Sequence, residues 1–226
     1  MDTFNWSKEA KNQWDNRAMF WSERSKNMWD HGSRKDIIPF FNDFVETGNR
    51  VLDVGCGDGY GTYKLNELGY KAVGADLSVE MITKAKERLF DIPFFQADIG
   101  NLPFQSNSFD AILCINVLEW TEIPALALKE LRRVLKPGGF LCTGILGPTA
   151  GPRNNGYRRV YGEKTISNSM MPWEFDKLAK EMDFVALNGF GVYKEGVKAE
   201  HYQQLPITLK QALTFMWVSI YQKLGE

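Results

Sequence analysis

From Arg50 onward, short apolar runs alternate with amphipathic stretches whose apolar residues recur at helical spacing. This alternation is typical of βα units that form a parallel sheet covered by helices. The predicted strands are RVLDV, KAVGAD, IPFFQAD, FDAILCI and FLCTGIL, at 50–54, 71–76, 92–98, 109–115 and 140–146. The third and fourth runs are apolar enough to be buried on both faces, so we predict that both are central strands.

Helix signals separate these strands. A stretch after strand one ends at Gly69, MITKAKERL follows strand two, and helical spacing from Ile123 to Lys136 stops at the PGG that precedes strand five. PWEFDKLAKEM has Pro in its first turn, and FVALNGFGVY and LTFMWVSIYQKL predict a terminal antiparallel strand pair. We therefore predict a doubly wound, mostly parallel α/β sheet of seven strands.

Residues 1–48 contain four of the seven tryptophans and no strand-like run, which predicts an N-terminal helical cap lobe ahead of a main domain at 49–226. On one continuous helix those tryptophans would fan over about 140° of the circumference, at roughly 100° per residue. Ser33 to Asp36 resembles a capping box that opens a second helix ending near Thr47. The segment 147–171, rich in Gly, Pro, Asn and Arg, interrupts the alternation and is interpreted as an insertion or lid.

Composition narrows the function classes. A length of 226 residues with 44% hydrophobic and 24% charged residues suits one folded domain with an appended lobe. A formal net charge of −1 provides no global attraction for nucleic acid or an anionic membrane, although the basic segment 147–171 leaves a local RNA contact open. No oligomeric state is indicated.

The three cysteines have no spacing suited to a metal, and we expect them to be reduced, as in a cytoplasmic protein. The N-terminal residues lack the apolar core of a signal peptide, and no apolar run approaches the ~20 residues that span a bilayer. We expect a cytoplasmic protein without a membrane partner and without a metal.

A glycine-rich turn, Val51 to Gly61, lies between the first strand and the first helix of the main domain, where backbone can approach a nucleotide-like ligand. G-x-G-x-G is satisfied, whereas the dinucleotide fingerprint would need glycine at Tyr60, so an NAD-dependent oxidoreductase ranks last. Asp76 ends the second strand, where a carboxylate can accept hydrogen bonds from ribose hydroxyls. The alternative for the glycine-rich segment alone is a tight turn without a ligand. The alternative for Asp76 alone is a solvated residue at a strand end.

The motifs VLDVGCGDGYG, AVGADLS, FFQADIGNLPFQSNSFDAIL and LRRVLKPGGFL resemble those of class I S-adenosylmethionine-dependent methyltransferases, over roughly 50–147. The resemblance implies a Rossmann-like methyltransferase fold that binds S-adenosyl-L-methionine. It assigns the glycine turn to the methionine moiety, an acid to the ribose and another acid to the adenine amino group; these are Gly55, Gly57, Gly59, Asp76 and Asp98. It implies that Asp53 either steadies the glycine loop or meets the amino group of the cofactor. It also implies cofactor contacts from Leu77 and Ile99, beside adenine, Met81, near the ribose, and Asn116, at the methyl-donor end.

Trp120 stands where many small-molecule members of that family have histidine, which removes one candidate base. Methyl transfer from a sulfonium is an in-line displacement, so positioning and desolvation can supply most of the acceleration. If a base is used, His31 in the lobe is the candidate; the alternative is a partly exposed histidine at a helix end.

Arg34 is a candidate for the cofactor carboxylate, with a solvated helix start as its alternative. The tryptophans of the lobe, with Trp21 foremost, and Trp120 are candidates for the wall of an acceptor pocket, with core packing as the alternative. The arginines of the insertion, Arg153, Arg158 and Arg159, either bind an acidic substrate or face solvent.

The leading hypothesis is an enzyme that methylates a small molecule enclosed by the lobe and the insertion. An RNA or protein methyltransferase is one rival, distinguished by its surface charge. A non-catalytic protein that binds S-adenosylmethionine is the other, distinguished by a methyl end sealed from any acceptor.

Overall fold

The computed structural model describes residues 4–225. Its strands are β1 (Arg50–Val54), β2 (Lys71–Asp76), β3 (Phe94–Gln96), β4 (Phe109–Ile115), β5 (Leu135–Leu146), β6 (Phe184–Tyr193) and β7 (Thr214–Lys223). Its α-helices are α1 (Trp6–Asp30), α2 (Ile37–Asn42), α3 (Tyr60–Glu67), α4 (Val79–Arg88), α5 (Pro124–Val134), α6 (Pro172–Glu181), α7 (Ala199–Tyr202) and α8 (Ile207–Ala212).

The strands form one sheet in the order β3-β2-β1-β4-β5-β7-β6. Strands β1 to β5 are mutually parallel, and β7 is antiparallel to both β5 and β6. This confirms the predicted seven-stranded, mostly parallel sheet and its terminal antiparallel pair. Consecutive residues of β1 and β4 enter different hydrophobic clusters, since Leu52 and Ile112 pack with α5 whereas Val51 and Leu113 pack with α2 and α3. The sheet is therefore covered on both faces.

Two predicted features of the sheet are wrong. The third strand spans only Phe94–Gln96 and lies at the edge of the sheet, beside β2. Because an edge strand is less completely covered than a central one, Phe95 is 39% exposed. The fifth strand begins at Leu135, directly after α5, so PGG lies inside the strand and not before it. Its pairing with β4 shifts register between Phe109 and Ala111, which accommodates PGG as an irregularity at the strand's start.

The N-terminal lobe is dominated by α1, one continuous helix that begins at Asn5, whose side chain accepts a hydrogen bond from the Lys8 amide at 2.9 Å. The predicted second helix is shorter than expected. It begins after Asp36, which makes no capping bond, and ends at Asn42, so the proposed capping box at Ser33 is wrong. Backbone bonds from Arg34 N to Met28 O and from Ile37 N to Arg34 O hold residues 31–36 in turns instead.

The segment 147–171 contains a 3-10 helix at Gly151–Tyr161. Arg153 holds the two ends of this segment together, since its guanidinium donates hydrogen bonds to the carbonyls of Leu146, Gly147 and Met170. Neither earlier hypothesis for Arg153, an acidic-substrate contact or a solvated loop, describes this role. No helix within 4–225 is both long enough and apolar enough to cross a bilayer.

Candidate functional site

A cavity of about 570 Å³ lies at the carboxyl ends of the parallel strands, beneath α1. It sits where β1 neighbours β4, the point at which the strand order reverses and where open α/β sheets bind ligands. Most of the predicted site residues line it: Trp21, Arg34, Gly55, Gly57, Asp76, Leu77, Met81, Asp98, Ile99, Asn116 and Trp120. Asp53, Gly59 and His31 are not among its lining residues.

Glycine is required in the β1–α3 turn for two different reasons. All three glycines have left-handed φ values, +67° at Gly55, +57° at Gly57 and +81° at Gly59. A Cβ at Gly55 would lie 2.2 Å from Val117 Cγ2, and one at Gly59 would lie 2.6 Å from Phe94 Cζ, whereas one at Gly57 would meet only Met81 Sδ at 3.8 Å. Gly57 therefore leaves open space for a ligand, while Gly59 serves the packing of the turn that starts α3.

Asp76 connects the end of β2 to the glycine turn. Its Oδ2 accepts a hydrogen bond from Gly57 N at 2.9 Å, and its Oδ1 accepts one from Ser78 N at 2.8 Å. Burial raises the pKa of this carboxyl, although the two backbone donors favour its charged form. Each carboxylate oxygen retains a further lone pair toward the cavity, which is the acceptor geometry that a diol needs.

Asp98 follows β3, and each of its two carboxylate oxygens accepts a hydrogen bond. Its Oδ1 accepts from Gly100 N at 2.9 Å, and its Oδ2 accepts from Ser7 Oγ of α1 at 2.8 Å. Leu77 and Ile99 line the cavity beside it. The bond from Ser7 was not anticipated from the sequence, because nothing in the local pattern of α1 indicates which strand end it meets.

Asp53 lies beneath the turn and is 4% exposed. Its Oδ2 accepts a hydrogen bond from Thr62 Oγ1 at 2.7 Å, which joins β1 to α3. Burial raises its pKa to about 7, despite this bond and the nearby charge of Arg34. Of the two roles that the resemblance offered, this geometry favours steadying the loop.

Arg34 is half-buried and lines the cavity, with its guanidinium carbon 5.5 Å from the centre of the Trp29 ring. Burial lowers its pKa, whereas Asp53, Asp58 and Glu119 attract its positive charge. Within 4–225 its guanidinium makes no hydrogen bond. Its donors are therefore available to an anionic group in the cavity.

Tryptophans form the roof and one wall of the cavity. The Trp14 ring lies 6.3 Å from that of Trp21 and 5.4 Å from that of Trp120. The Trp6 indole donates to the Trp120 carbonyl at 2.7 Å, and the Trp120 indole donates to the Asn116 carbonyl at 3.0 Å. Trp120 is thus both packed in the core and exposed to the cavity. Trp6 and Trp14 line the cavity together with Trp21, and their seven- to eight-residue spacing places all three on one helix face.

His31 ends α1 and is exposed to solvent. It lines a second, adjacent cavity and not this one, so the structure gives no support to its role as a base. Glu119, a buried acid that the sequence analysis missed, is 1% exposed and accepts a hydrogen bond from the Leu146 amide. Burial raises the pKa of Glu119. Among the described residues, no group of three or more metal-ligating side chains could hold an ion.

Comparisons with known proteins agree with this geometry. Residues 52–143 match the family model described as "Methyltransferase domain". A demethylmenaquinone methyltransferase of Renibacterium salmoninarum is 40% identical over 117 residues, which cover 51% of this chain and 48% of that protein. A malonyl-[acyl-carrier protein] O-methyltransferase of Erwinia pyrifoliae is 40% identical over 90 residues, covering 40% of this chain and 34% of that protein. The chain thus spans about half or less of the length of these curated relatives.

Solved structures with the same fold include a putative Haloferax volcanii methyltransferase in complex with the Trm112 activator. That chain matches with a TM-score of 0.73 at 18% identity, covering 96% of this chain and 98% of its own. A Methanosarcina mazei S-adenosylmethionine-dependent methyltransferase matches with a TM-score of 0.66 at 20% identity, covering 83% of this chain and 98% of its own. At these identities the structural matches establish the fold.

Proposed function

We propose that this chain is a class I methyltransferase that transfers a methyl group from S-adenosylmethionine to a small-molecule acceptor. Residues 52–143 match the methyltransferase family model, which supports the proposal. One observation carries the proposal: a single cavity is lined both by the acids and glycines of the cofactor motifs and, around Asn116, by tryptophans. The part lined by Asn116 and the tryptophans is called the chamber. A cofactor sensor would not need such a chamber at the methyl end.

The residues present fit this cofactor. Gly57 leaves room for a ligand against the backbone, and Asp76 offers two carboxylate oxygens suited to the ribose hydroxyls. Asp98 and the apolar Leu77 and Ile99 would hold adenine by its amino group and its faces. Arg34, whose guanidinium lacks a hydrogen-bond partner within 4–225, would bind the carboxylate of the methionine moiety.

The bound cofactor would supply an electrophilic methyl group on a sulfonium. The chain's own contribution is to orient the acceptor and to exclude water, which α1 and its tryptophans do by covering the cavity. With His31 outside the cavity, positioning would provide most of the acceleration. We also propose that the lobe at 1–48 and the segment 147–171 enclose the acceptor, and that the protein works in the cytoplasm.

Calorimetry tests the cofactor assignment. S-Adenosylmethionine and S-adenosylhomocysteine should each bind with one-to-one stoichiometry, whereas NAD should give no heat. Incubation of the protein with methyl-labelled cofactor and fractionated cell metabolites should then label a small molecule. Label found only in RNA or protein would replace the small-molecule acceptor with a macromolecular one, and binding of NAD alone would overturn the cofactor.

A further inference from the structure

A second cavity, of about 500 Å³, lies beside the first, between the turns at 31–36 and the end of β6. Ser33 and Phe215 line both cavities, so the two meet at this pair of side chains. Phe215 is half-buried and packs against residues of two core clusters. The junction is therefore built into the fold, where the N-terminal lobe meets β7.

Strand topology explains why the two cavities are in line. Leu146 pairs with Met216, and Met216 pairs in turn with Val192. The carboxyl ends of β5 and β6 therefore reach the same edge of the sheet as the start of β7, and this is the edge where β4 delivers Asn116. Both cavities lie along this edge, the first lined by Asp98 and Asn116 and the second by the end of β6, and together they are called the trough.

The second cavity combines an apolar interior with a cationic rim. Phe190 packs against Phe40 with ring centres 5.0 Å apart, and Tyr193 stacks on Tyr202 at 3.8 Å. At the rim, the exposed Lys35, Lys194 and His31 face one acid, Asp36. Lys194 also donates to the Thr149 carbonyl. Two lysines against one carboxylate, in a chain of net charge −1, favour an anionic group at the outer end.

We propose that the second cavity binds the distal end of an elongated acceptor with an apolar body and an anionic terminus. This inference rests on the proposed function, since it takes the chamber at Asn116 as the point of methyl transfer. From β4 to β6 the acceptor crosses three strand spacings, about 14 Å at roughly 4.8 Å each. The anionic terminus then lies between Lys35 and Lys194, while the reacting atom reaches the chamber beneath Trp21.

Alkyl phosphates of increasing length measure this trough directly. We would titrate hexyl, octyl and dodecyl phosphate, and the matching alcohols, into the protein with and without saturating S-adenosylhomocysteine, at concentrations below micelle formation. Affinity should rise with chain length, and each phosphate should bind about tenfold more tightly than its alcohol, as expected for a charge-assisted contact. Binding should persist with S-adenosylhomocysteine present.

Matched variants locate the binding site. Ser33→Trp, at the junction, should abolish the gain from hexyl to dodecyl phosphate while leaving hexyl phosphate bound. Lys35→Gln with Lys194→Gln should remove the preference for phosphate over alcohol. Lys86→Gln with Lys177→Gln removes the same charge from exposed lysines of α4 and α6 and should leave that preference unchanged. Thermal melts check folding, and Tyr193→Ala, which should weaken every probe, replaces Ser33→Trp if that variant is unfolded.

The outcomes separate the two proposals. Equal affinity for all chain lengths, or a phosphate preference that survives loss of Lys35 and Lys194, would overturn the trough even if S-adenosylhomocysteine binds normally. Failure of S-adenosylhomocysteine to bind would refute the proposed function, and the titrations without it would still decide whether the second cavity binds amphipathic anions.

Discussion

At the scale of single residues, Asp76 acts on both the backbone and the cavity. Its two hydrogen bonds to Gly57 N and Ser78 N hold the glycine turn against β2. The sequence alone suggested only a ligand for the ribose. Because a carboxylate that accepts backbone donors also stabilises the fold, Asp76→Ala should affect both properties.

We predict that Asp76→Ala weakens S-adenosylhomocysteine binding by about 2–3 kcal/mol and lowers the melting temperature by several degrees. Asp98→Ala should lose less of each, since Asp98 binds Gly100 and Ser7 in exposed positions. Calorimetry and thermal unfolding of both variants provide the measurement. An unchanged affinity for Asp76→Ala would show that this acid is only structural.

Asp53 should make stability depend on pH. Its pKa is raised to about 7 by burial, whereas an unfolded Asp titrates near 3.9, so folding takes up a proton between about pH 4 and 7. The contribution of Asp53 to the free energy of unfolding therefore falls as the pH rises through that window. Asp53→Asn should raise the melting temperature at pH 8 by roughly 2–4 °C or more, and change it little at pH 4.

Thermal unfolding at both pH values checks this sign. Asp110→Asn is a suitable comparison, because Lys136 and the Arg50 amide bind Asp110 and its pKa is lowered. Its stabilising effect is present at pH 8, so that variant should lose stability there. A uniform shift of Asp53→Asn at pH 4 and pH 8 would contradict the buried-carboxyl explanation.

At the scale of elements, apolar periodicity predicted which segments are strands better than it predicted where they lie. IPFFQAD is as apolar as its neighbours, yet β3 is at the edge, because position in the sheet depends on which strands pair with it. The short α2 was mispredicted for a similar reason, since residues 31–36 are held by backbone bonds to α1 and not by a local cap. The local sequence specifies neither the partners of a strand in the sheet nor the backbone bonds between residues 31–36 and α1.

The attachment of α1 to α4 gives a prediction at this scale. Asp15 accepts a hydrogen bond from Ser78 Oγ at 2.6 Å and one from Glu80 N at 3.3 Å, at the start of α4. Asp15→Ala should cost about 1 kcal/mol of docking energy, as for a lost helix cap, and speed amide hydrogen exchange across α1. Glu23→Ala, at an exposed position of the same helix, is the control. Equal exchange in the two variants would mean that other contacts hold the helix.

At the scale of the whole molecule, the sequence predicted the strand side of the site and only part of the other side, where Trp21 and Arg34 were candidates. The glycine turn, Asp76, Asp98 and Asn116 all follow strands of one continuous βα series, and parallel strands bring their carboxyl ends to a common edge. Ser7, Trp14 and Phe215 reach the cavity from the two ends of the chain. Their contribution depends on long-range packing of α1 and β7 across that edge, which no local pattern specifies.

The same packing sets how much of the lobe can be removed. From the sequence, the boundary between the lobe and the main domain falls after residue 48, because the strand pattern begins only at Arg50. In the structure Trp29 is 4% exposed within a core cluster and lies against Gly61, while Asp30 accepts bonds from Tyr60 at 2.9 Å and Lys64 at 2.7 Å. Trp29 therefore belongs to the core of the main domain and Asp30 is bonded to α3, although both residues lie in the lobe.

We therefore predict different results for two deletions. Removal of residues 1–24 takes away Ser7, Trp14 and Trp21 but keeps Trp29, so a folded monomer should remain, with weakened S-adenosylhomocysteine binding and no methyl transfer. Removal of residues 1–30 also removes the Trp29 side chain, a loss of about 3–5 kcal/mol for a buried tryptophan, and should give an unstable or aggregated product. Thermal unfolding and gel filtration distinguish the two products.

Trp21→Ala in the intact chain, which should reduce turnover more than cofactor affinity, is the control for gross exposure of the cavity. Full turnover in the shorter deletion would show that α1 does not cover the reacting acceptor, and equal stability of the two deletions would remove Trp29 from the core.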